Sequence, residues 1–314
     1  MKRDHYSRSA RNAFSGLDLN RKPLLPGNPT SWEEFLALNN SSFVAVRGDE
    51  ILFDPAGTDP LLLDARMLGG CDHAFLQPML LGDDGQTTFF ALNVDRMPAS
   101  LAQCLAGLGT FARLRQHVAT MSGKIASLLG YACFAAGWQS QTRFCSLCGH
   151  PTVSKPSSLA QCCTNPSCAA EHFPRINPAM IVLVHHPEKD MCLLGRQSSW
   201  KPRVYSALAG YVEPGESAED AVLREVMEET GIRVRDIRYH SSQPWPFSSS
   251  LMLGFHALAE NLDIHLDDRE LEDARWFPRQ EIPGLLEKGD LALPSTETIA
   301  RHLFDAWIQG DLGD

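Results

Sequence analysis

The sequence predicts an α/β chain built in parts, and three observations carry that prediction. From about residue 175 onward, apolar runs of strand length alternate with helical stretches. Residues 30–140 read as an α+β region of short strands broken by Gly, Asp and Pro, ending in one helix. Between them, residues 141–174 form a short cysteine-rich insert. At 314 residues the chain is too long for one small core, so more than one domain is expected.

Each part follows in order. The opening MKRDHYSRSARNAF is basic and Ser/Arg-rich but lacks an apolar core, which excludes a secretory signal. Asp4 and the missing apolar helical face argue against a mitochondrial presequence, so residues 1–29 are expected to be an exposed leader. Strands are expected at 43–46, 51–53, 61–63 and 87–92. A helix over 111–138 follows from Phe111, Leu114, Val118, Met121, Ile125 and Leu128 recurring every three or four residues. Nothing in this region carries chemistry by itself. In the last part, 175–314, a hairpin over 180–185 and 191–196 turns across PEKD. A strand at 204–209, a helix at 217–230, strands at 232–240 and 251–259 and a helix at 296–308 complete the series.

Composition narrows the class. With 44% apolar and 21% charged residues this is an ordinary globular chain, and no apolar run approaches the roughly 20 residues of a membrane span. A net charge of −10 excludes a broad electrostatic footprint for nucleic acid. Residues 141–203 nevertheless hold seven Lys/Arg against three acids, a local +4 that suits a phosphate substrate or is a solvated face of mixed charge. Nine cysteines, an odd number, with no secretory signal and a cluster at 145–168, point to a reducing, cytoplasmic setting and a metal in place of disulfides.

The richest stretch is GYVEPGESAEDAVLREVMEETGI, 210–232. Ser217 can cap a helix with Asp220 in its first turn, and Gly231 sits where a left-handed residue ends it. On that helix Glu225, Glu228 and Glu229 fall at i, i+3 and i+4, so all three are expected to project from one face. Three like charges that close cost stability unless a cation neutralises them, and an oxygen-rich cluster selects hard divalent ions such as Mg²⁺ or Mn²⁺. The glycine-bounded loop before the helix lets backbone carbonyls near Ala209 join the ligand set. Glu216 is placed to orient Arg224 away from the carboxylates. A solvated acidic face would also show EVMEE, but the complete spacing is far more specific. Gly, five residues, Glu, seven residues, then Arg-Glu-apolar-x-Glu-Glu-x-Gly-apolar resembles the Nudix box at every specified position.

Upstream, Cys145-x2-Cys148-x14-Cys163-x4-Cys168 offers two knuckles at zinc spacing. Cys162 and Cys163 are adjacent and either can serve; Cys163 is preferred because its gap to Cys168 is nearer knuckle spacing. His150 and His172 are substitutes. Four thiolates would leave no open position, so the zinc is expected to be structural.

Beyond the box lies Ser242-Gln-Pro-Trp-Pro-Phe247 with Ser250 three residues on. With the zinc knuckles, it resembles the NADH pyrophosphatase family of Nudix hydrolases, whose signature SQPWPFPxS is broken here only by Ser248. The residues agree physically. Prolines would stiffen a loop on which Trp245 and Phe247 stack a base or nicotinamide, while Gln243 and Ser250 hydrogen-bond an amide or ribose.

The resemblance implies an α/β/α sandwich with a mixed sheet, and Mg²⁺ or Mn²⁺ on Glu225, Glu228 and Glu229 with Glu216 in support. It also implies a further ligand at Glu270, base-pocket contacts from Phe173, Tyr211 and Ala300, one structural Zn²⁺ per chain, and a homodimer. The activity it implies is hydrolysis of NAD(H) to NMN(H) and AMP, with removal of 5′ NAD caps from RNA as a second use of the same cut. A preference for ADP-ribose or dinucleoside polyphosphates, or a silent dinucleotide sensor, are the alternatives.

Overall fold

The computed structural model describes residues 5–21, 34, 38, 40–68, 76–155, 158–266 and 270–312. Its contacts divide the chain into two units. One comprises residues 1–15, 177–245 and 250–314; the other comprises 16–176 and 246–249.

In the second unit, β1 (Ser41–Arg47), β2 (Glu50–Phe53), β3 (Leu62–Asp64), β4 (Met79–Asp83), β5 (Thr88–Asn93) and β6 (Thr110–Arg113) form one sheet. Its order is β4-β5-β1-β2-β6, with β3 also on β1, and only β1–β5 is parallel. Phe43, Ala45, Leu52, Phe90 and Leu92 bury one face. The helix expected over 111–138 begins later, at Gly123–Gln141. Phe111 lies in β6 opposite Leu52, and Ser122 caps the helix through Ile125 N at 3.4 Å, so an apolar period that ran through residues 111–121 belonged to other elements. The ribbon strands β7 (Thr152–Ser154), β8 (Gln161–Cys163) and β9 (Glu171–His172) pair antiparallel in the same unit. Trp138 Nε1 donates to Leu159 O at 3.0 Å, and Gln139 Nε2 to Ser154 Oγ at 2.7 Å, tying the ribbon to the long helix.

The first unit is built on β10 (Asn177–His186), β11 (Met191–Arg196), β12 (Leu208–Tyr211), β13 (Val234–Trp245), β14 (Ser250–Ala259) and β15 (Asp273–Pro278). The order is β13-β14-β10-β11-β15, with β12 also on β10. β10 runs parallel to β14 and antiparallel to β11 and β12, so the sheet is mixed. Along β10, Met180, Val182 and Val184 enter one core and Ile181 and Leu183 the other, as period-two side chains must in a strand buried on both faces. The helix Ala218–Thr230 covers the first core with Ala221, Val222 and Val226. The helix Ile299–Gln309 covers the second with Ile299, Leu303, Phe304 and Trp307. The unit is thus an α/β/α sandwich.

Three features depart from expectation. The strand expected at 204–209 is displaced to β12, with Ser206 only bridging to Gly195. The strand expected at 232–240 runs on through Trp245, bulged between Arg235 and Arg238 and between Tyr239 and Ser241. Residues 5–15, expected as an exposed leader, contribute a short helix, His5–Ser9, and bury Arg8, Asn12 and Phe14 in this unit. Residues 16–21 of that expected leader fall in the other unit, and 1–4 and 22–29 lie outside the described residues.

Under residues 5–15 lie two buried imidazoles. His240 and His256 meet edge to face at 5.3 Å; His256 Nε2 donates to Leu303 O at 2.9 Å. Burial, with neighbouring cationic groups, pushes His240 down to about 3 and His256 down to about 4. Both lie below the roughly 6.5 of a free imidazole, so the unfolded chain binds more protons in between. Their contribution is present above about pH 6.5 and lost progressively as pH falls toward 4. Urea unfolding between pH 6.5 and 4.5 should therefore show falling stability, with a shallower fall for His256→Gln; equal slopes refute the assignment.

Candidate metal and substrate site

The helix Ala218–Thr230 is fixed at both ends. Ser217 N donates to Asp220 Oδ2 at 2.9 Å while Asp220 N donates to Ser217 Oγ at 3.1 Å, a reciprocal cap. Gly231 closes the other end at φ 68°, its N–H on Met227 O at 2.9 Å. Its inner flank carries Glu225 and Glu229, 9% and 6% exposed. With Glu270, their oxygens lie within 4.8 Å of one another. Glu225 presses against Gly210 in β12, where a Cβ would collide with its carboxylate, so any other residue there would displace that carboxylate.

Glu228, expected in the cluster, stands outside it. Residues i and i+4 stack on a helix, which aligns Glu225 with Glu229 but turns Glu228 onto Arg224. Its carboxylate is exposed and accepts from Arg224 Nη1 at 3.0 Å. Arg224 is the hub: Nε and Nη2 grip both oxygens of Glu216 at 2.6 and 3.0 Å, Nη2 reaches Tyr211 O at 2.9 Å, and Nη1 lies 3.0 Å from Glu225. The expected orienting role of Glu216 thus has a geometric counterpart. Arg224, with the Glu213 N–H, holds the Glu216 carboxyl below its usual range.

Burial raises Glu225, and Glu270 and Glu228 add to that rise against the pull of Arg224. Burial, then Glu225 and Glu270, pushes Glu229 up to about 8. One Glu229 oxygen, Oε2, is buried without a hydrogen-bond partner. Three clustered carboxylates, one with an orphaned oxygen, fit a hard divalent cation. Ala209, expected to offer its carbonyl, sits in β12 beside Gly210, opposite Ile181.

The other expected site residues divide between the units. Tyr211 ends β12, half exposed, in the first unit. Phe173 is exposed in the second unit, just after β9. Trp245 ends β13, its ring edge-on to Phe14 at 6.1 Å; Phe247 lies in the turn Pro246–Ser248, which belongs to the second unit. Ser250 and Ala300 are buried. Gln243 differs from expectation. Its Oε1 accepts from Ile299 N at 2.9 Å, and its Nε2 donates to Ala13 O at 3.2 Å and Glu297 O at 3.1 Å. A buried amide so engaged is not available to a ligand, because turning it out would strand those backbone groups. Sequence reasoning missed residues 9–14, which contact this strand and have no periodic or compositional signal.

In the ribbon, the sulfurs of Cys145, Cys148, Cys163 and Cys168 lie within 4.8 Å of one another, with Cys145–Cys168 at 3.8 Å and Cys148–Cys163 at 3.4 Å. Cys162, the adjacent candidate, is not in that group. His172 Nε2 meets Cys145 Sγ at 3.3 Å and His150 Nδ1 meets Cys148 O at 3.3 Å, so neither substitutes for a thiol. Four sulfurs so placed fit tetrahedral Zn²⁺ with no position left open.

Two parts of the chain match known families. Residues 175–299 match the NUDIX domain and residues 140–173 the NADH pyrophosphatase zinc ribbon domain. The chain is 44% identical to the NAD-capped RNA hydrolase NudC of Stutzerimonas stutzeri over 64% of its length and 68% of that protein's. It is 35% identical to the NAD-capped RNA hydrolase NUDT12 of Homo sapiens over 72% of its length, spanning about half, 51%, of that relative. A solved Nudix hydrolase from Nitrosomonas europaea aligns at 22% identity and TM-score 0.43, over 54% of this chain and 94% of its own. Among the described residues, no helix is long and apolar enough to cross a membrane.

The ribbon can be tested directly. Cys163→Ser should purify with little or no zinc, whereas Cys162→Ser should retain about one zinc per chain. Elemental analysis showing the reverse would exchange their roles.

Proposed function

Since the chain belongs to the Nudix hydrolases that carry an NADH pyrophosphatase zinc ribbon, we propose that it hydrolyses the pyrophosphate of NAD(H), consuming one water and releasing NMN(H) and AMP. The observation that carries this reading is the carboxylate cluster Glu225, Glu229 and Glu270, with its unpartnered Glu229 oxygen. These three would hold Mg²⁺ or Mn²⁺, with the Ala209 carbonyl as a further donor and Glu228 as an outer carboxylate within reach of Arg224. When bound, such an ion neutralises the pyrophosphate, activates a water and stabilises the leaving phosphate. Glu216 keeps the Arg224 guanidinium turned toward the loop, so the inner carboxylates stay open to a cation on their other side. Within the first unit, Trp245 and Tyr211 would supply aromatic surfaces for the base and nicotinamide. The ribbon, 141–174, is structural and holds one Zn²⁺; 175–314 does the chemistry, and a homodimer is the working form that the family resemblance implies.

Removal of a 5′ NAD cap from RNA is the second reading, favoured by the NAD-capped RNA hydrolases among the relatives and by the local +4 over 141–203. An RNA substrate would bind with steep salt dependence. A silent sensor is disfavoured by the assembled carboxylates.

The deciding experiment incubates the protein with NADH, NAD⁺, ADP-ribose and a 5′-NAD-capped oligonucleotide, with Mg²⁺ or Mn²⁺, and separates the products. AMP and the nicotinamide mononucleotide are expected from the dinucleotides, and relative rates rank the substrates. No cleavage by folded protein would move the reading to a sensor. In the same assay Glu229→Gln should lower turnover by about two to four orders of magnitude with the fold intact. Activity near that of the unaltered protein would remove Glu229 from the site. Trp245→Ala should raise KM for NADH far more than for a simple phosphoester; equal effects on both would take Trp245 out of the pocket.

A further inference from the structure

We propose that residues 9–14 are a substrate-positioning element, acting on the dinucleotide site through Trp245; the proposal rests on the reading of Trp245 as a stacking residue. β13 is the edge strand of its sheet, and an edge leaves backbone groups without a ladder partner. Residues 9–14 take up those of Ser242 and bond the side chains on either side of it. Ser242 N donates to Ser9 Oγ at 3.0 Å. Asn12 Nδ2 donates to Ser242 O at 2.8 Å and to Ser241 Oγ at 3.2 Å. Gln243 Nε2 donates to Ala13 O at 3.2 Å. Phe14 then sets its ring edge-on to Trp245, centroids 6.1 Å apart and planes at 75°.

The element is itself pinned. His302 Nδ1 donates to Asn12 Oδ1 at 2.6 Å, and Ala13 N donates to Glu297 O at 3.0 Å. Phe14 is 5% exposed at φ 67°, a conformation that a residue with a Cβ adopts only when its surroundings impose it. A cover serving stability alone would need only to hide the edge. Here the contacts converge on consecutive residues of one motif and end on its aromatic ring. Stacking affinity depends on holding such a ring in one orientation before the ligand arrives.

The test is a double-mutant cycle on NADH hydrolysis. Phe14→Ala should raise KM about five- to tenfold, the value of one aromatic edge contact, with kcat changed less than about twofold. In the Trp245→Ala background the same substitution should change KM less than about twofold. An unchanged KM in the first background, a fall in kcat matching the rise in KM, or an equal rise in both backgrounds overturns the proposal. Phe14→Leu, which keeps apolar volume and loses the ring, takes the place of Phe14→Ala if that variant does not fold. A second readout needs no activity: the difference in acrylamide quenching between each protein and its Trp245→Phe counterpart isolates Trp245. Phe14→Ala should make Trp245 more quenchable, and no change overturns the brace. If the unaltered protein cleaves no dinucleotide, the proposed function fails while the quenching result still decides whether residues 9–14 hold Trp245.

Discussion

Two carboxylates buried side by side are the constraint on which the first unit depends. At less than 5 Å and an effective dielectric near 20, Glu225 and Glu229 would repel by on the order of 3 kcal/mol if both were charged, with desolvation added. Burial, then the charges of Glu225 and Glu270, pushes Glu229 up to about 8. The surroundings make sense in those terms. Gly210 has no side chain because the Glu225 carboxylate occupies that space, and the capped helix ends stop the flank from rotating away. Arg224 is bound to Glu216 by two hydrogen bonds, so the nearest cation is positioned beside the cluster without filling it. Stability is spent here to keep a site ready for a divalent ion.

The ribbon solves the same problem with sulfur. Four cysteines converge within 4.8 Å, and backbone amides reinforce them, Asn165 N lying 3.4 Å from Cys163 Sγ. The geometry selects Cys163 because the β7–β8 pairing sets Cys162 and Cys163 on opposite faces of β8. Only one of two adjacent residues on a strand can look toward the knuckle.

Much of this was legible in the sequence, and the exceptions have physical causes. The box helix, its caps, the Glu216–Arg224 pair and the four zinc-spaced cysteines were readable because each is set by short-range spacing. Glu228 was read together with Glu225 and Glu229 because i+3 and i+4 share one side of a helix, whereas its carboxylate bonds Arg224 and only Glu229 stacks over Glu225. Phe111 was assigned to the long helix because its spacing fits a helical period, whereas its partner Leu52 lies far away in sequence. Gln243 was read as a ligand contact because its engagement by Ile299, Ala13 and Glu297 is entirely tertiary. Residues 9–14 were invisible for the same reason: nothing local distinguishes a leader from an edge cover.

The Ser242-Gln-Pro-Trp segment shows how a motif that reads as a loop can be a strand. Pro244 lacks an N–H and is tolerated because β13 is an edge, where the missing donor breaks no interior ladder. The strand period then sends Gln243 and Trp245 toward one side and Ser242 and Pro244 toward the other. Gln243 uses that position to bind the first turn of the helix Ile299–Gln309, which carries Ala300. One half of the motif therefore fixes the helix and the N-terminal cover, and the other half presents an aromatic ring whose position depends on both. A change at Gln243 would reach a ligand through the backbone it anchors, without any contact between them.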